Sequence, residues 1–201
     1  MTAPAATVFA SALRLASTSP QRRWILEQLR IPFEAVAPAY EEHDPPGADP
    51  AALVRDHAVG KARSVHEEGR VTLGVDTTVQ LDGRVYGKPG DEVEAARMLR
   101  QLSGRTHTVL SGLCLLGPGF EVVHHELTDV TFRLLTRLDV DGYVGSREWE
   151  GRAGGYAIQG LGGRLVARVE GDYLNVVGLP AALLVDLLER HAPELLAQTL
   201  P

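Results

Sequence analysis

Lysine is nearly missing from this chain. Of 20 basic residues, only Lys61 and Lys88 are lysine, and the other 18 are arginine. Cysteine is scarcer still. Cys114 stands alone, which excludes an internal disulfide and a cysteine-rich zinc site and points to a reducing compartment. No apolar run approaches the ~20 residues that a membrane-spanning helix needs. Positive charge is in deficit as well: 26 acidic against 20 basic residues leave a formal net charge of −6. That balance argues against general binding to nucleic-acid polymers or anionic membranes. An anionic ligand would have to be met by a local cluster of cations or by a metal. Residues 1–12 carry no Lys or Arg and so lack the basic start of a secretory signal. They read as a flexible N-terminal extension of a cytoplasmic protein.

What is present suffices for a folded core. The chain has 201 residues, 44% of them hydrophobic and 23% charged. That fits one domain, or two small lobes sharing a cleft. The apolar run 13–16 ends in Ser17-Thr18-Ser19-Pro20, and a helical pattern with Trp24, Ile25, Leu26 and Leu29 follows. Ser19 before Pro20 predicts an N-cap with proline at the first helical position. Residues 33–36 read as a second strand, and 40–49 as an acidic, proline-containing loop. Asp49-Pro50 predicts a second helix running to about residue 67.

Val71, Leu73 and Val75 alternate with smaller or polar residues, the period of a strand. Asp82-Gly83 between extended runs predicts a hairpin. Asp91 followed by Glu94 predicts a capping box on a helix that ends at Ser103-Gly104. Two long strands, 106–116 and 121–134, flank Gly117-Pro118-Gly119. A short helix over 140–146, a glycine-rich segment over 151–163, a strand over 164–169 and a closing helix over 180–191 complete the pattern. The alternation predicts an α/β fold with a mixed sheet. In this reading residues 13–192 are expected to form a single domain, with 193–201 as a tail.

Several residues carry chemistry at these positions. The turn 17–23 joins a strand to a helix, so backbone N–H groups and the helix dipole favour a phosphate there. Arg22 and Arg23 lie near the first turn, where cations are out of place unless an anion is bound. A plain helix cap is the alternative. Lys61 is seven residues beyond Val54 and falls in the stripe of Val54, Ala58, Ala62 and Val65, so it points inward. It is either a snorkelling lysine or an ammonium facing a phosphate. Asp76, on the opposite side of its strand from Val71, Leu73 and Val75, is a turn former, a metal ligand or a general base. Lys88 sits in a rigid Gly-Lys-Pro loop. Glu41, Glu42 and Asp44 form an acidic run that is either solvated or a source of oxygen ligands for Mg²⁺. His124 and His125 are strand neighbours facing opposite ways, unable to chelate one metal. Cys114 reads as a small buried hydrophobe.

Seven segments together resemble the Maf-like nucleotide pyrophosphatases. They are Leu15-Ala16-Ser17-Thr18-Ser19-Pro20-Gln21-Arg22-Arg23, Gly60-Lys61-Ala62-Arg63, Gly74-Val75-Asp76-Thr77 and Gly87-Lys88-Pro89. Leu102-Ser103-Gly104-Arg105-Thr106-His107, Ala153-Gly154-Gly155-Tyr156-Ala157-Ile158-Gln159-Gly160 and Gly171-Asp172-Tyr173-Leu174-Asn175-Val176-Val177-Gly178-Leu179-Pro180 follow in order. The likeness spans about residues 13–190.

The resemblance implies a two-lobed α/β fold with a mixed sheet, flanking helices and a central cleft. It implies a cytoplasmic hydrolase, dependent on Mg²⁺ or Mn²⁺, that splits nucleoside triphosphates into monophosphate and pyrophosphate. It also implies a homodimer. Asp76 matches the catalytic base, and Ser17, Arg22, Lys61 and Lys88 match residues lining the substrate site. Glu42 matches an acidic residue near the metal, to which Asp76 also belongs. Thr77 and Gln159 match positions linked to base selection and are similar to the dTTP/UTP branch. Two positions depart. Gln21 stands where that branch usually has arginine, which bears on base preference and not on the reaction. Gly151-Arg152 stands where the family usually has Asp-Lys. The alternatives to an enzyme of this kind are a non-catalytic nucleotide-binding regulator of cell division and a general phosphatase.

Overall fold

The computed structural model describes residues 12–45 and 47–197. The expected N-terminal extension lies outside the described residues except for Ala12, as do residues 198–201 of the expected tail. Seven strands form one mixed sheet. β1 (Leu13–Ala16) lies between β2 (Phe33–Val36) and β3 (Thr72–Leu81), parallel to both. β5 (Thr106–Gly117), β6 (Phe120–Phe132) and β7 (Val166–Glu170) continue antiparallel, giving the order β2-β1-β3-β5-β6-β7. β4 (Arg84–Tyr86) pairs with β3 across a turn in which Asp82 and Gly83 both have positive φ, 51° and 74°. That is the geometry for which Asp-Gly is suited.

The parallel part has a topological consequence. From β1 the chain runs through α1 (Pro20–Gln28) to β2 on one side. It then returns through α2 (Pro50–Val65) to β3 on the other side. The connections diverge at the carboxyl ends of β1 and β3, the kind of crevice where open α/β sheets bind ligands.

Packing brings α2 unusually close to the sheet. Gly74 pairs with Cys114, and Asp76 pairs with Gly112. A Cβ at Gly74 would lie 2.0 Å from the Ala58 carbonyl oxygen, and one at Gly112 would lie 2.0 Å from that of Val54. The helix backbone therefore rests directly on two glycines. Cys114 packs with Ala58 and Ala62 on this face. Burial pushes its thiol up to about 12, and Glu121 adds to the shift. It is an unreactive hydrophobe, as its surroundings require. The rest of the core, with Leu15, Leu26, Leu73, Leu113 and Phe132 fully buried, covers the remainder of the sheet.

Helix ends differ in detail from expectation. Ser19 makes no side-chain cap to α1; its hydroxyl bonds instead to Gln21 Oε1 at 3.1 Å. Asp91 caps α3 (Glu92–Leu102) through the Glu94 amide, but the Glu94 carboxylate returns to Gly90 N and not to Asp91. α4 (Arg137–Gly145) begins three residues earlier than expected, because Thr136 and Asp139 form a reciprocal capping box. The glycine-rich segment forms two short 3₁₀ turns, Ala153–Gly155 and Leu161–Leu165. α5 (Tyr173–Val177) is an addition to the expected elements, with Asp172 capping its start and Gly178 its end. α6 (Ala181–His191) closes the chain, followed by a turn at Pro193–Leu195 whose Leu195 is buried. No helix among the described residues is long and apolar enough to cross a membrane.

Candidate functional site

A cleft of about 460 Å³ opens at the β1/β3 crevice. It is lined by all eight residues that the resemblance assigns to the site: Ser17, Arg22, Glu42, Lys61, Asp76, Thr77, Lys88 and Gln159. Separate stretches of chain supply them. The apolar part of the lining includes Val79, Val109, Val177 and Tyr156.

Lys61 is the hub. It is buried, with only 7% of its surface exposed, as its place on the apolar stripe of α2 predicts. Its Nζ donates to Asp76 Oδ1 at 2.5 Å and lies 2.5 Å from Glu42 Oε1. An ammonium removed from water needs such partners. Asp76 reaches it because β3 presents Asp76 and Gly74 on the face that packs on α2. Glu42 comes from the acidic loop and keeps 42% of its side chain exposed. Of the other acids in that run, Asp44 bonds to His57 at 2.8 Å, and Glu41 does not line the cleft.

Arg22 forms a second node in the first turn of α1. Its guanidinium donates from Nη1 to Ser17 Oγ (3.2 Å), from Nη2 to Thr77 Oγ1 (3.2 Å) and from Nε to the Gly178 carbonyl (2.9 Å). Burial draws its pKa down, while the charges of Asp76 and Glu42 oppose this; a guanidinium stays charged throughout. Thr77 shares a further hydrogen bond with Ser111 at 2.9 Å. Because α1 lacks a side-chain cap, first-turn N–H groups remain available at the cleft, the arrangement that suits an anion. Arg23 is exposed and lies outside the lining, so only Arg22 of the pair belongs to the site.

Lys88 and Gln159 are exposed on the cleft. Gln21 lines it beside Ser19. Arg152 also lines the cleft, and its Nε is buried without a hydrogen-bond partner. Arg22, Lys61, Lys88 and Arg152 thus share the cleft with the two carboxylates of the Lys61 hub, and Glu150 joins the lining.

Two contributors were missed. Gly178 brings its carbonyl to Arg22 from 156 residues away; the Asp172 and Gly178 capping signals could have revealed the short helix that places it. His57, also buried, holds Asp44 and Tyr40. A histidine four residues before Lys61 on an apolar stripe was the available signal.

Among the described residues, no three His, Cys, Asp or Glu side chains come together as a ready-made metal cage. Two carboxylates meeting at one point in an open cleft do fit Mg²⁺, which takes one or two protein carboxylates and fills its shell with phosphate and water oxygens.

Known proteins are similar along most of the chain. The dTTP/UTP pyrophosphatase of Deinococcus radiodurans is 47% identical over 176 residues, covering 87% of this chain and 90% of that one. The dTTP/UTP pyrophosphatase of Symbiobacterium thermophilum is 46% identical over 178 residues, covering 88% and 92%. Among solved structures, a HAM1 protein from Coxiella burnetii has the same general fold. It matches with a TM-score of 0.50 at 14% identity, covering 89% of this chain and 98% of that one. Residues 12–191 match the family described as Maf-like protein. With six of its seven motifs contributing to one cleft and its relatives matched nearly end to end, the chain belongs to the Maf-like family.

Proposed function

We propose that this protein hydrolyses nucleoside triphosphates, dTTP and UTP foremost, at the bond between the α- and β-phosphates. The products are a nucleoside monophosphate and pyrophosphate. The observation that carries this reading is the Lys61 ammonium held between Asp76 and Glu42 in a cleft that also presents Arg22 and Lys88. The names of the relatives supply the substrates.

Each residue has a task that its position supports. Asp76 takes the proton from the attacking water, since it is an acceptor fixed in direction by Lys61. Arg22, Lys61 and Lys88 meet the phosphate oxygens and offset charge as it shifts towards the leaving pyrophosphate. The open N–H groups of α1 add donors for the same charge. Ser17 keeps Arg22 aimed into the cleft. Thr77, Gln159 and Gln21 face the base and sugar. Asp76 and Glu42 would hold Mg²⁺ or Mn²⁺, which supplies phosphate neutralisation and a more acidic water.

We further infer a cytoplasmic location, supported by a single inert thiol and by substrates of the nucleotide pool. A homodimer is expected, to be read by light scattering.

The deciding experiment incubates the protein with Mg²⁺ and a panel of nucleoside triphosphates and quantifies both pyrophosphate and orthophosphate. Pyrophosphate in step with monophosphate is the expected result. Orthophosphate instead would make the protein a phosphatase. Nucleotide binding without product would make it a regulator.

A further inference from the structure

The Glu42 carboxylate comes from a stretch with no regular structure. Between the end of β2 at Val36 and the cap of α2 at Asp49, the described residues belong to no helix or strand. Among the described residues, no backbone hydrogen bond from the sheet or a helix holds Glu42, so side-chain anchors must do it.

Three anchors bind this stretch to α2. Glu42 meets Lys61. Tyr40 and Asp44, two residues to either side, both meet His57. The Tyr40 hydroxyl lies 3.0 Å from Nδ1 of His57, and Asp44 Oδ1 lies 2.8 Å from Nε2. His57 and Lys61 are four residues apart, neighbours on one face of the helix. Gly60 lies between them in sequence. A Cβ there would fall 2.2 Å from Cε2 of the Tyr40 ring, so the ring sits flush on the helix. The rings of Tyr40 and His57 meet edge-on at 5.7 Å.

The Tyr40 hydroxyl meets Nδ1 of the His57 ring, and the Asp44 carboxylate meets Nε2. One ring thus satisfies both its nitrogens with two loop residues that bracket Glu42. His57 is 3% exposed, and neither of its partners lies on its own helix.

We propose that His57 is a positioning residue for the hydrolytic reaction. By clamping Tyr40 and Asp44, it seats the loop on α2 so that the Glu42 carboxylate is delivered to Lys61 and Asp76. It touches no substrate and acts only through Glu42. This rests on the pyrophosphatase reading of the same cleft.

The test combines kinetics with cleavage of the loop. His57→Ala and Asp44→Ala should each lower kcat by about tenfold, within the range found for groups that orient a ligand carboxylate. KM for dTTP should change much less. In a Glu42→Ala background, His57→Ala should cost nothing further, because the carboxylate it positions is gone. His57→Asn, whose carboxamide keeps one donor and one acceptor, should restore part of the loss. A glutamate-specific protease should cut after Glu41 or Glu42 faster in His57→Ala and Asp44→Ala than in the parent. Asp44 is 61% exposed at its side chain, so Asp44→Ala tests the clamp even if His57→Ala fails to fold. Multiplying effects of His57→Ala and Glu42→Ala would overturn the proposal. So would unchanged kcat and unchanged cleavage in Asp44→Ala. If the parent releases no pyrophosphate, the functional reading falls on that result alone, while the cleavage rates still decide whether His57 seats the loop.

Discussion

Lys61 Nζ lies 2.5 Å from Oδ1 of Asp76, with Glu42 Oε1 at the same distance from the same nitrogen. A compact ammonium on a flexible stem can serve two carboxylates from inside a helix–sheet contact. A planar guanidinium is longer and needs its fork aligned. Lys61→Arg should therefore lower kcat/KM by about a hundredfold although the charge is kept, in line with the loss of one preorganised donor. Lys88→Arg, exposed on the cleft, should cost about tenfold or less. Asp76→Asn should lower kcat by about 10²–10⁴. Pyrophosphate release under saturating Mg²⁺ measures all three. Turnover of Asp76→Asn at the parent rate would remove its assigned role.

Gln21 sits at the cleft with its Oε1 tied to Ser19. Replacing it by arginine adds a charged donor at that point, and a hydrogen bond to a charged group is worth enough to change a rate ratio about tenfold. Gln21→Arg should shift the ratio of kcat/KM for UTP over CTP by about that amount. A ratio unchanged within the error of the assay would separate Gln21 from base reading.

Gly112 permits the contact between α2 and β5. Gly112→Ala forces a methyl against the Val54 carbonyl, an overpacking that should destabilise by about 2 kcal/mol or more and lower Tm by roughly 4–8 °C. A Cβ added at Gly142 in α4 would meet nothing within 4 Å. Gly142→Ala should raise stability by up to ~1 kcal/mol through helix propensity. Paired thermal melts compare the two directly.

His107 is buried against Phe132 and Tyr156, with Nε2 2.9 Å from the Tyr156 hydroxyl. Burial draws its pKa down to about 4, against a weaker opposing pull from Asp129. The unfolded chain therefore binds the proton first. This contribution to stability is intact above the unfolded pKa near 6.5 and is lost as pH falls towards 4. Denaturant midpoints should drop across that window, and His107→Gln should flatten the slope. An equal slope in the variant would assign the acid sensitivity elsewhere.

Strand and helix positions are largely readable along the chain. β1, β2 and the Asp-Gly hairpin occur where alternation and turn residues put them, and Lys61 points inward as its spacing from Val54 requires. Local signals also mislead. Ser19 has the right identity for a cap, yet its hydroxyl goes to Gln21. The short helix α5 is too brief to carry a hydrophobic period, so periodicity does not reveal it. His57 looks like one more residue on an apolar stripe, because its partners lie in a loop with no period at all.

By itself the sequence determined most of the elements, the two lone lysines and the motifs, because capping, turn chemistry and periodicity act over a few residues. Only the tertiary structure decided that these pieces share one cleft. That depends on the crossover that separates β2 from β3, on two glycines that let α2 approach the sheet, and on contacts as distant as Arg22 to Gly178. Such contacts are fixed by packing of the whole sheet, and no short window of residues contains them.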